Sequence, residues 1–141
     1  MKLTEHFTYE ELTRSATADR YNIDNTPTED IEKNLVELAH VLEKIRQRYN
    51  KPIIVTSGYR CKKLNDIVKG SKTSQHVKGQ AADIRTISDT KEDNKELFMT
   101  IMGMIIQKDI EVGQLIDEYN YNWIHVSTNH LKNNNQILHI K

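Results

Sequence analysis

Ile31, Leu35, Leu38, Leu42 and Ile45 recur at spacings of four and three, which is the period of a helix with one buried face. Pro27 or Thr28 marks its start and Lys51-Pro52 its end, giving about five to six turns at ~3.6 residues per turn. The charged residues between these positions form its solvated face. In the last third the period changes. Gln114 to Tyr119, Trp123 to Ser127 and Ile137 to Ile140 read as strands separated by Asn-rich turns. With helices early and strands late, the predicted class is α+β, a small mainly antiparallel sheet with flanking helices.

The remaining elements follow from local chemistry. Thr8 with Glu11 three residues on is a capping-box pattern, predicting a short N-terminal helix that ends in a loop from Asn22 to Pro27. Ile53-Ile54-Val55-Thr56 predicts a buried strand, Cys61 to Val68 a short helix, and Gln80 to Ile87 a further strand. Ser88-Asp89-Thr90 can cap a further helix with an apolar stripe of Leu97, Ile101, Met104 and Ile105, and the four methionines are assigned to the core.

At 141 residues the chain is expected to form a single domain, 1–141. Twenty Lys+Arg balance twenty Asp+Glu, which argues against a dedicated nucleic-acid binder, whose phosphate contacts show as a basic excess. The one cysteine, Cys61, cannot form an internal disulfide. No apolar run suits a signal peptide or a membrane span, so synthesis and accumulation in the cytoplasm are expected, with no membrane insertion.

Chemistry concentrates in Ser74-Gln75-His76-Val77-Lys78-Gly79-Gln80-Ala81-Ala82-Asp83. A His, a Gly that permits a tight turn, two small alanines and an Asp seven residues after the His can bring imidazole and carboxylate to one point. Strand alternation puts Trp123, His125 and Ser127 on one face and Ile124 and Val126 on the other. Catalytic zinc commonly takes three His or carboxylate ligands and leaves a position for water, and His76, Asp83 and His125 meet that requirement.

These residues resemble the zinc D-Ala-D-Ala carboxypeptidases and their relatives of hedgehog-type metallopeptidase fold. The family pattern S-x-H-x-x-G-x-A-x-D is matched by Ser74, His76, Gly79, Ala81 and Asp83. Upstream, Ser57-Gly58-Tyr59-Arg60 is similar to the S-G-Y-R element, and downstream Trp123-Ile124-His125-Val126-Ser127 to W-x-H-x-S. The resemblance is closest to the short, single-domain branch of bacteria and their phages. It implies one zinc ion on His76, Asp83 and His125, and Arg60 facing a substrate carboxylate, with Ser74 and Gln75 binding substrate or orienting His76.

One position departs from the pattern. Well-studied members carry a Glu three residues before the last zinc His, where this chain has Asn122, and Asn cannot take a proton from water. Gln114-Leu115-Ile116-Asp117-Glu118 resembles the short branch's Q-L-I-x-E element, which makes Glu118 the expected general base. A two-residue turn at Asn120-Tyr121 puts Glu118 opposite Trp123, on the His125 face; a three-residue turn puts Asp117 opposite His125. Both options stay open. His6, His40, His130 and His139 are expected in surface or packing roles, and Cys61 beside the site without acting as a nucleophile.

The resemblance implies a zinc peptidase acting on peptidoglycan stem peptides, either as a D,D-carboxypeptidase or as an endolysin-type endopeptidase. An enzyme of the second kind would be a monomer awaiting release to the wall through a membrane-permeabilising, holin-type partner. The alternative is a non-catalytic zinc-containing wall-binding or phage structural module of the same fold, suggested by Asn122.

Overall fold

The computed structural model describes residues 1–128 and 134–141; the expectation for His130 falls outside them. The N-terminal capping box forms as the sequence predicts, with Thr8 accepting from the Glu11 N–H at the start of α1 (Tyr9–Thr13). The helix does not continue to the Asn22–Pro27 loop, however. Arg14 is extended, and Ser15 caps a second short helix, α2 (Ala16–Arg20), through the Ala18 N–H. The long helix α3 (Glu29–Tyr49) starts at Thr28 and ends where Asn50 enters the left-handed region at φ 59°. Leu35, Leu38, Leu42 and Ile45 are fully buried, while Ile31 sits at the margin of the core.

Five strands follow in the order β1-β2-β4-β3-β5: β1 (Ile53–Ser57), β2 (Ala81–Thr86), β3 (Gln114–Glu118), β4 (Trp123–Ser127) and β5 (Gln136–Ile140). Between β1 and β2 lie helix α4 (Lys62–Ile67) and a 3-10 turn at Gln75–Lys78, and α5 (Lys91–Ile106), capped by Thr90, joins β2 to β3. All neighbouring strands are antiparallel except β3 and β5, which run parallel. The fold is α+β with a mostly antiparallel sheet, as expected.

One sheet face carries Ala82, Ile84, Leu115, Ile124 and Val126, which pack with α3 and with Leu97, Phe98 and Ile101 of α5 to form the core. Met104 belongs to that core, but Met1 and Met99 are exposed, so the assignment of all four methionines to the interior is corrected. Met99 falls between the apolar positions of α5, and Met1 precedes the first element. Alternation sends Asp83, His125, Ile116 and Glu118 to the opposite face. No helix among the described residues is long and apolar enough to cross a membrane.

Candidate metal centre and its cleft

Pairing of β2 with β4 makes Asp83 and His125 Cα partners. Their side chains meet, with Asp83 Oδ1 3.1 Å from His125 Nδ1. His76 arrives from a different direction. Its 3-10 turn begins with Ser74 Oγ accepting from the His76 N–H and ends at Gly79, whose φ of +69° is one that L side chains rarely adopt. A Cβ on Gly79 would also lie 2.8 Å from Ile31 Cγ2 on α3. The turn thus packs tightly on the long helix and delivers His76, only 4% exposed, to the sheet.

The orientation of His76 is fixed by a backbone carbonyl. Its Nδ1 bonds to Gly58 O at 2.7 Å, which leaves Nε2 directed at Asp83 Oδ1, 3.3 Å away. Gly58 is needed because a Cβ there would stand 2.3 Å from Leu12 O. Burial pushes the Asp83 carboxyl up, but the hydrogen bonds from His125 and His76 outweigh it and hold the group well below the usual carboxylate range.

The three side chains offer ligand atoms that all lie within 4.8 Å of one another. Ligand atoms on a tetrahedral zinc with bonds of about 2.0–2.1 Å stand about 3.4 Å apart, close to the two separations seen at Asp83. One carboxylate and two imidazoles, one oriented by a carbonyl, suit zinc and leave a coordination position for water.

These groups line one wall of an open cleft of about 520 Å³, which Arg60, Ser74, Gln75, Ile116, Glu118 and Trp123 also line. Arg60 is half-buried and donates to Ser74 Oγ at 3.3 Å, while its Nε is buried with no protein partner among the described residues. Burial pushes its guanidinium pKa down, and Asp83 opposes that shift. Gln75 Oε1 is likewise buried and unpartnered. Both side chains line the cleft, but these two atoms are themselves shut off from it.

The hairpin between β3 and β4 decides which acid faces the cleft. Glu118 pairs with Trp123 and Ile116 with His125, as the two-residue-turn option required, although residues 119–122 all lie outside the ladder. Glu118 therefore shares the His125 face and accepts a hydrogen bond from Trp123 Nε1 at 3.2 Å. Asp117 points to the core face, where it is buried and paired with His139, whose ring packs on Phe98. Asn122 is exposed in the hairpin loop.

Cys61 does not line the cleft; its Sγ caps α4 by accepting from the Leu64 N–H. One residue that sequence reasoning missed holds the Arg60 segment. Asn25 donates to Tyr59 O at 3.0 Å and accepts from the Cys61 N–H at 2.7 Å, gripping the chain on both sides of Arg60. Nothing in the polar loop around Asn25 signals that role, because these two partners are backbone groups more than thirty residues away.

An α+β sheet presenting two histidines and an aspartate at the wall of a polar cleft has the makings of a metallohydrolase. A family model described as Peptidase M15 matches residues 5–127, and the chain belongs to that family, the zinc D-Ala-D-Ala carboxypeptidase family. A search of curated proteins returned no match. The family's chemistry is that of a zinc-dependent peptidase.

Proposed function

We propose that residues 1–141 act as one peptidase domain that hydrolyses peptide bonds in peptidoglycan stem peptides, with one zinc ion held by His76, Asp83 and His125. When bound there, zinc would supply a Lewis acid able to polarise a carbonyl and to lower the pKa of water to about 7. The observation that carries the reading is Glu118 on the same sheet face and in the same cleft as His125, because it provides the carboxylate that Asn122 lacks.

In this reading Glu118 accepts a proton from the attacking water and returns it to the leaving amine. Arg60, which lines the cleft, binds a substrate carboxylate through the planar fork of its guanidinium. Ser74 holds the guanidinium from one side, and Gln75 adds a polar side chain to the same cleft for substrate binding. The Gly58 carbonyl keeps the His76 imidazole in register.

The test is a product analysis. Zinc-loaded protein incubated with peptidoglycan of defined stem sequence should yield cleaved peptides by mass spectrometry. Free D-Ala identifies carboxypeptidase action, and larger stem or cross-bridge fragments identify endopeptidase action. Bound zinc without cleavage, across several wall types and pH values, would support the non-catalytic module instead.

A further inference from the structure

We propose that Trp123 is a positioning residue for Glu118, and this rests on reading Glu118 as the base. The two residues are direct partners across the β3–β4 ladder, with side chains on the same face. Trp123 Nε1 lies 3.2 Å from Glu118 Oε2. An indole N–H is a donor only, so it can hold one carboxylate oxygen but cannot take its proton. Oε2 is thereby fixed and Oε1 is left to meet water.

The indole is itself held. Tyr119 packs on it with ring centroids 5.2 Å apart. The hairpin that carries Tyr119 runs through three successive left-handed residues, Tyr119, Asn120 and Tyr121, at φ 52°, 58° and 65°. Such backbone is uncommon for tyrosine and persists where surrounding contacts impose it. Asn94, fully buried, donates to Tyr121 O at 2.9 Å and anchors this turn to α5. The chain Asn94, hairpin, Tyr119, Trp123 thus ends on one oxygen of Glu118.

A double-mutant cycle tests the inference. Trp123→Phe removes the N–H and keeps an aromatic ring beside Tyr119; kcat should fall about tenfold, the scale of a lost hydrogen bond to a charged group, with KM within about twofold. In a Glu118→Gln background, followed by single-turnover kinetics, the same replacement should change the rate less than about twofold. Replacing Trp123 by benzothienylalanine, which exchanges the N–H for sulfur at nearly constant shape, should reproduce the tenfold loss even if Trp123→Phe folds poorly.

A second readout needs neither metal nor turnover. Trp123 is the only tryptophan, so the zinc-free protein has one indole N–H resonance, and Glu118→Ala should move it upfield. Equal losses in both backgrounds, a KM rise at unchanged kcat, or an unmoved indole resonance would overturn the proposal while leaving Glu118 as the base. Wild-type turnover in Glu118→Gln would overturn the base assignment and the proposal together. A wild-type protein that cleaves no peptide would remove the peptidase reading and, with it, the proposal.

Discussion

Asp83 and His125 face each other as partners across the β2–β4 ladder, with Oδ1 3.1 Å from Nδ1. Backbone hydrogen bonding of the sheet therefore sets the spacing of two candidate ligands. The third, His76, depends on a turn and a loop carbonyl. The centre combines a rigid pair with a ligand that local changes around Gly58 or Gly79 can displace.

Asp83→Asn keeps the shape of the side chain and removes the charge between the two imidazoles. Zinc content, measured by elemental analysis after dialysis, should fall from one per chain to a small fraction, with affinity lowered more than about 100-fold and peptidase activity lost with it.

Arg60→Lys replaces a planar fork by a single ammonium. KM for a carboxylate-bearing substrate should rise about tenfold to hundredfold, with a smaller effect on kcat. Asn25→Ala releases the chain on either side of Arg60, so steady-state kinetics should show a KM shift in the same direction, roughly threefold to tenfold.

Glu43 does not line the cleft and gives the stability a pH signature. Burial works against its charge, but the ring and backbone N–H of His6, at 2.7 and 2.8 Å, and Gln47, at 2.8 Å, hold its pKa down to about 2. A carboxyl depressed on folding contributes stability above its unfolded value near 4.5, and the contribution fades as pH falls toward 2. Glu43→Gln should cost about 1 kcal/mol at pH 7, allowing for solvent screening around the part-exposed His6. Thermal melts of the two proteins should converge between pH 4.5 and 2.

Asn94 is fully buried and bonds to Thr86 N, Thr86 Oγ1 and Tyr121 O at 3.0, 2.8 and 2.9 Å. Asn94→Ala leaves the Thr86 donors and the Tyr121 carbonyl without that partner, and denaturant unfolding should show a loss of about 2–4 kcal/mol.

The long helices and all five strands were legible because their apolar residues repeat at 3.6 or 2, and the three candidate ligands because S-x-H-x-x-G-x-A-x-D and W-x-H-x-S name them. Less local facts were not. The break at Arg14 depends on backbone conformation, and the parallel docking of β5 on β3 depends on pairing that no turn dictates. The choice between Glu118 and Asp117 turned on hairpin register, since a shift of one residue exchanges the faces of a strand. Asn25 and Asn94 act on backbone groups distant in sequence, which no spacing reveals.

Whether Glu118 serves a zinc site is decided by comparing three proteins. Wild-type, Glu118→Gln and Asp117→Asn proteins, each confirmed folded and assayed for bound zinc, are incubated with purified peptidoglycan and the released peptides quantified. Glu118→Gln should retain one zinc and lose activity by at least about 100-fold, while Asp117→Asn still cleaves. Cleavage retained in Glu118→Gln but lost in folded, zinc-bound Asp117→Asn would contradict that role for Glu118.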